Sequence, residues 1–256
     1  MPYAKSYDGT KIFYIAQGDG EKVIIFVHGL GESHETWVEQ IRYFSSKYKV
    51  VALDLRGHGR SEIPKKRIEM SDFAEDVLAV LKAENVEKAH FVGYSMGALV
   101  VLETYKKAKE KFKTLTLEAF LPAYPPAQTE VLMNMSMDEI ARQVAEFAVA
   151  PTAPKELKDD IYRIISQTDK EMYIESAEAA TSKTYDPVLL EIEHPTLLIY
   201  GEFDFIAPPE AGKGVSNRIK NSKLVVFNTG HMPHREDAER FNKELEQFII
   251  ENESSS

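Results

Sequence analysis

Lys88-Ala89-His90-Phe91-Val92-Gly93-Tyr94-Ser95-Met96-Gly97-Ala98-Leu99-Val100 decides the fold. A short apolar run ends at Gly93, and a helix-compatible apolar run begins at once, so Ser95 sits where an extended segment turns sharply into a helix. Gly93 and Gly97 flank the turn, and without side chains there the strand and helix backbones can approach closely and push the Ser95 hydroxyl outward. A Ser that merely capped the helix would leave the second glycine unexplained. The stretch therefore predicts a nucleophile elbow.

Upstream, Asp8-Gly9-Thr10 signals a turn before Lys11-Ile12-Phe13-Tyr14-Ile15-Ala16, which predicts a hairpin over residues 2–17. Val23-Ile24-Ile25-Phe26-Val27 is apolar without alternation, the pattern of a strand covered on both faces. His28-Gly29-Leu30-Gly31 follows, a loop able to aim a backbone N–H inward; in an acyl-transfer site it would share an oxyanion with the N–H of Met96, the residue after the nucleophile. His28 reads as a hydrogen-bonding brace for that loop. Residues 34–46 predict a helix burying Trp37, Ile41 and Phe44, and Tyr48 to Leu53 the next strand. Asp54 and His58 lie in the polar turn that follows, but with no third ligand suggested nearby they predict a self-braced loop and no metal site. Met70 to Glu84 predicts a helix with Ser71 as its cap and Phe73, Val77, Val80 and Leu81 inside.

Downstream of the elbow helix, Phe112 to Phe120 predicts another strand. The alternation of strands and helices implies a mainly parallel sheet with helices on both faces. It breaks at Leu121-Pro122-Ala123-Tyr124-Pro125-Pro126, and no convincing strand follows until Pro187. Helices are expected over 136–149, where Ser136 and Glu139 form a capping box and Ile140, Val144 and Phe147 share a face, over 156–166, and over 169–180. Placed after the C-terminal end of a strand, where such sheets hold their ligands, this insertion predicts a lid. Its candidate pocket residues are Phe120, Leu121 and Tyr124 at the root and the adaptable thioethers of Met133, Met135 and Met137.

Pro195 to Tyr200 and Leu224 to Phe227 predict the last strands, with Asp204 and His231 just beyond them and a helix from about Arg235 to Ile250 closing the chain. Ser95, Asp204 and His231 thus each follow a strand, in the order expected for a triad on this type of sheet. His231 would be the general base and Asp204 would hold its ring, giving an acyl-enzyme that water then cleaves. Glu202 and His234 compete for those roles, but Glu202 is nearer its strand and His234 begins to enter the helix.

The chain of 256 residues is 43% hydrophobic, enough for one large core, and its net charge of −10 argues against nucleic-acid and anionic-lipid partners. It has no cysteine, which excludes disulfides, thiolate catalysis and cysteine metal sites. Met1 to Asp8 lacks an apolar leader core and no stretch reaches the roughly 20 apolar residues of a membrane span, so the expectation is a soluble cytoplasmic protein.

In these motifs the sequence resembles the α/β-hydrolase superfamily, in its lid-bearing branch of small esterases, carbon–carbon bond hydrolases, enol-lactonases and cofactor-free haloperoxidases. The resemblance spans practically the whole chain and is most specific at 28–31, 54–61, 93–97, 201–204 and 230–231. It implies an eight-stranded, mainly parallel sheet with the cap after strand 6, a core of residues 1–121 and 188–256, and a cap of residues 122–187. It also implies oxyanion N–H groups at Leu30 and Met96, a triad of Ser95, Asp204 and His231, and no cofactor. The Ser nucleophile differs from the Asp of haloalkane dehalogenases and epoxide hydrolases. The expected activity is hydrolysis of small-to-medium apolar carboxylic esters by a monomer or homodimer. Carbon–carbon hydrolysis or lactone opening by the same triad is the alternative, followed by a small-molecule receptor on the same fold. A dinucleotide enzyme would need a further glycine that His28-Gly29-Leu30-Gly31-Glu32-Ser33 lacks.

Overall fold

In the computed structural model, which describes residues 2–253, eight strands form one sheet. They are β1 (Tyr3–Lys5), β2 (Lys11–Gln17), β3 (Val23–Val27), β4 (Lys49–Leu53), β5 (Ala89–Tyr94), β6 (Phe112–Glu118), β7 (Thr196–Gly201) and β8 (Ser222–Phe227). Their spatial order is β1-β2-β4-β3-β5-β6-β7-β8; β2 runs antiparallel to both neighbours and the remaining pairs are parallel. Every residue of β3, β5 and β7 is buried, as suits strands covered on both faces whose only polar side chains are His90 and Thr196.

Helices α1 (Val38–Phe44), α2 (Met70–Ala83) and α3 (Met96–Ala108) cross between the first parallel strands. The insertion between β6 and β7 holds α4 (Thr129–Asn134), α5 (Met137–Phe147), α6 (Lys155–Ser166), α7 (Lys170–Ala180) and α8 (Asp186–Glu191). Helix α9 (Pro209–Ser216) precedes β8, and α10 (Pro233–Glu236) and α11 (Ala238–Glu253) close the chain. One side of the sheet buries Phe73, Val77, Leu99 and Leu102 from α2 and α3. The other buries Trp37, Phe44, Phe241 and Phe248 together with Ile140 and Ile161 of the cap, so the cap shares a core with the sheet. Each large apolar side chain so buried contributes about 1.5–3 kcal/mol. Among the described residues no helix is long and apolar enough to cross a membrane.

Four local expectations change. The predicted helix over 34–46 opens as a 3-10 turn, His34–Trp37, capped by Ser33, before α1 begins. Helix α2 is capped by Glu69, whose carboxylate is half of a reciprocal box with Asp72; Ser71 lies inside the first turn. The strand expected to reach Phe120 stops at Glu118, because Ala119 takes φ 47. Phe147 is 70% exposed, although it shares a helical phase with Ile140 and Val144: α5 buries Ile140, Ala141 and Ala145, and small residues let it pack closely on α6.

Candidate active site

Ser95 follows β5 directly, with φ 53 and ψ −117, a left-handed conformation that costs a non-glycine residue about 1–3 kcal/mol. The elbow glycines make it possible. A Cβ on Gly93 would lie 2.5 Å from the carbonyl oxygen of Gly97, and one on Gly97 would run into the carbonyls of Val27 and His28. The Ser95 N–H donates to Glu118 O at 2.9 Å, which fixes the turn against the end of β6.

The loops after β7 and β8 bring Asp204 and His231 to the same point. His231 Nε2 lies 3.0 Å from Ser95 Oγ, and His231 Nδ1 lies 2.7 Å from Asp204 Oδ2. The other carboxylate oxygen, Oδ1, accepts the N–H groups of Ile206 at 2.8 Å and Ala207 at 2.9 Å. A carboxylate can only accept, so Nδ1 carries the ring proton and the Nε2 lone pair faces the serine. Asp204 and His231 are both 4% exposed, while Ser95 remains half-buried.

Ser95 and His231 line a cavity of about 240 Å³ between sheet and cap. Leu30 and Met96 border it, Met96 at the N-terminus of α3 where backbone N–H groups have no partner within the helix. His28 braces the Leu30 loop: its Nε2 accepts from Leu55 N–H at 3.0 Å, so its Nδ1–H donates to Gly29 O at 2.7 Å. Burial pushes this imidazole down to about 3, which keeps it neutral. Asp54 similarly accepts the backbone N–H groups of His34 and Arg60, tying the loop after β4.

Of the expected pocket residues, Tyr124 lines the cavity that Ser95 also borders. Its oxygen accepts Leu121 N–H at 3.1 Å, and burial pushes its phenol up to about 12, so it stays a neutral donor. The other five do not line this cavity. Phe120 is fully buried in the core, Leu121 packs on that core, Met133 is 63% exposed, and Met135 and Met137 are half-buried against the core on the other side of the sheet. In their place stand Leu132, Val144, Ala148, Ile165, Ala177 and Ile206. Leu132 sits on α4, a helix too short for apolar periodicity to reveal its inward face.

Glu32 also lines the cavity, a residue that the motifs alone do not single out, although an acid one residue past a Gly-x-Gly loop is a visible signal. It is 2% exposed, its Oε2 accepts Gly29 N–H at 3.2 Å, and burial raises its carboxyl above the usual range. The competing candidates lie elsewhere. Glu202 is exposed. His234 is fully buried, 2.9 Å from Glu118 Oε1 and 2.9 Å from Thr36 Oγ1, and packed between the rings of Trp37 and Tyr94.

A strand-elbow-helix serine, an acid after β7 and a histidine after β8 place the chain in a class that its sequence also defines: a family profile described as alpha/beta hydrolase fold matches residues 22–159, and the chain belongs to that family. Among curated proteins it is 27% identical over 237 residues to the 3-oxoadipate enol-lactonase 1 of Acinetobacter baylyi, covering 88% of each chain. It is 28% identical over 278 residues to a bifunctional esterase/perhydrolase of Acinetobacter calcoaceticus, covering 97% of this chain and 99% of the relative. Among solved structures it superposes on the enol-lactonase from Burkholderia xenovorans with a TM-score of 0.91 at 25% identity, over 97% of this chain and 100% of the other.

Proposed function

We propose that the protein is a serine carboxylesterase for small-to-medium, uncharged apolar acyl groups. The observation that carries this reading is the unbroken hydrogen-bond line Asp204–His231–Ser95 at the wall of an otherwise mainly apolar cavity. His231 Nε2 removes the Ser95 proton as Oγ attacks the ester carbonyl. The Leu30 and Met96 N–H groups take the negative oxygen. The imidazolium, steadied by Asp204, then hands its proton to the departing alcohol. Water follows the same path in reverse order: His231 deprotonates it, it adds to the acyl-enzyme, and the carboxylic acid leaves as Ser95 recovers its proton.

The lining bears on the acyl group. No Lys or Arg borders the cavity among the described residues, and Glu32 does. An acyl chain ending in a carboxylate would lose its hydration there and meet no counter-charge, so the site favours neutral substrates. That separates this reading from one based on the 3-oxoadipate enol-lactonase relative, whose substrate name describes a dicarboxylate skeleton.

Steady-state hydrolysis of a p-nitrophenyl ester series, with Ser95→Ala beside the parent, tests the reading. Turnover peaking at one acyl length, lost in Ser95→Ala, and much poorer for an ester with a terminal carboxylate is expected. Feeble turnover at every length would reject ester hydrolysis as the main activity and direct attention to lactones and carbon–carbon substrates, for which the same triad serves. Ligand binding that survives Ser95→Ala with no appreciable turnover of any class would instead mark a receptor.

A further inference from the structure

The geometry points to Glu236 as a positioning residue that fastens the His231 loop to the cap, making the placement of the imidazole depend on a seated cap; this rests on the triad reading above. Glu236 ends α10, just beyond the histidine. Its Oε1 accepts Gly230 N–H at 2.9 Å and Met232 N–H at 3.3 Å, so both residues flanking His231 hang from one carboxylate oxygen. Its Oε2 lies 3.0 Å from Gly230 N and accepts the N–H of Ala150 at 2.8 Å, and Ala150 belongs to the link between cap helices α5 and α6.

That link also holds the histidine itself: His231 N–H donates to Ala148 O at 2.6 Å. The two backbones touch so closely that a Cβ on Gly230 would come within 2.6 Å of Ala150 N and of Val149 C. Ala148, Val149 and Ala150 are 1%, 5% and 3% exposed. A second tie runs from Arg235 Nη2 to Asp160 Oδ2 on α6 at 2.5 Å. The imidazole therefore stands on a loop whose three consecutive N–H groups, at 230, 231 and 232, all end on Glu236 or on the cap.

Only an acceptor with two oxygens suits this place. An amide keeps one oxygen: placed at Oε2 it still accepts from Ala150 and Gly230, but its NH2 group then faces the Met232 N–H, so a glutamine cannot hold all three donors and the residue after His231 comes loose. Because Ala148 and Met232 border the cavity beside His231, slack in the clamp displaces the base relative to Ser95, and small misplacements of a reacting group are costly in rate.

The test compares Glu236→Gln and Glu236→Asp with the parent. It measures kcat and KM on the best p-nitrophenyl ester, the rate at which a fluorophosphonate labels Ser95, and the thermal midpoint, with all kinetics well below that midpoint. Glu236→Gln is expected to lower kcat about 10- to 100-fold, with KM within about threefold and labelling slowed by the same factor as kcat. Glu236→Asp, which keeps both oxygens but reaches less far, should fall between it and the parent; it also provides the reading should the glutamine variant not fold. Unchanged kcat and labelling with a lower midpoint would overturn the inference and leave Glu236 a stabilising tie, as would a raised KM at unchanged kcat. A parent that neither turns over esters nor takes the label at Ser95 would remove the triad reading, and the inference with it; a parent and variants labelled alike would remove the inference alone.

Discussion

Replacing Asp204 separates its two oxygens, because each has a different task. In Asp204→Asn the amide has one oxygen, and the two backbone donors at 2.8 and 2.9 Å claim it for the Oδ1 position. The NH2 group is then forced into the Oδ2 position, 2.7 Å from His231 Nδ1, where it donates to the ring. The imidazole must accept at Nδ1 and carry its proton on Nε2, which faces Ser95 and can no longer take the serine proton. The loss expected for a wrongly held tautomer is about 10⁴-fold in kcat, or about 5.4 kcal/mol of transition-state stabilisation. The fold should suffer less than in an alanine variant, since both backbone donors keep an acceptor, although the bonds from Ile206, Ala207 and His231 all lose their charge assistance. Asp204→Ala should lose a comparable amount of activity but also orphan both N–H groups. Ala207 is fully buried and its N–H costs about 1–3 kcal/mol; Ile206 is 43% exposed and water can satisfy it in part, giving about 2–4 kcal/mol in all. For a chain of this size that lowers the thermal midpoint by about 5–15 °C. Steady-state ester hydrolysis and calorimetry on both variants provide the comparison. An asparagine variant within tenfold of the parent would refute the tautomer argument, and equal midpoints for the two variants would refute the division of labour between the oxygens.

Three more outcomes follow from the same structure. Burial holds the imidazoles of His28 and His234 down to about 3 and that of His90 to about 4, so the unfolded chain binds protons below about pH 6.5 that the fold refuses. Their stability contribution is complete above that value and declines toward about pH 4, by up to about 1.4 kcal/mol per pH unit for each ring; a thermal midpoint flat between about pH 7 and 4.5 would contradict this. Glu118 has the opposite sign: burial raises its carboxyl well above the usual range, so the fold keeps a proton that the unfolded chain releases above about pH 4.5, and stability erodes as pH rises from there. The midpoint of Glu118→Gln relative to the parent should therefore increase with pH, and a pH-independent difference would count against it. Val144→Phe places a ring in the cavity from a partly buried position, so the preferred acyl chain in the p-nitrophenyl series should shorten while acetate turnover changes little; an unshifted optimum would mean that the acyl chain lies elsewhere.

What the sequence disclosed was whatever local chemistry determines. The Gly93 to Gly97 turn follows from the space that two missing side chains leave, and the Ser136–Glu139 box reappears as the cap of α5 because both its partners lie within one turn. The sites after β7 and β8 were legible because a parallel sheet aligns its strand ends, so Asp204 and His231 could be placed without knowing what surrounds them. The cavity lining was not. Whether Leu132 or Met133 faces inward depends on how a six-residue helix is rotated on α7, and that is set by packing against residues far along the chain. The cap of α2 was misplaced for a related reason: Ser is the stronger capping residue in isolation, but the reciprocal bonds of Glu69 and Asp72 start the helix before Ser71. Glu236 showed no local sign of its tie to the cap, since its bonds to 230 and 232 are ordinary short-range ones and Ala150, 86 residues away, meets it only when the cap is seated.

The described residues hold three carboxyl–imidazole–hydroxyl lines, one of them Glu253, His90 and Thr114 at 3.2 and 2.9 Å, and comparison of the other two says what makes one of them a candidate for chemistry. Glu118, His234 and Thr36 are joined by contacts of 2.9 Å and 2.9 Å, as close as the 2.7 and 3.0 Å of Asp204, His231 and Ser95. Connectivity therefore does not distinguish them. The carboxyls do: Asp204 accepts on both oxygens, whereas Glu118 leaves Oε2 without a partner in a fully buried position, where ionisation is disfavoured. The hydroxyls do as well. Thr36 is fully buried and does not line the cavity at Ser95, so no acyl carbon held there can approach it, while Ser95 is carried on the elbow to the wall of a space that can hold one. The chemistry thus depends on two features beyond the three residues themselves: backbone donors that satisfy the second oxygen of the acid, and a cap that leaves a cavity beside the Ser95 hydroxyl.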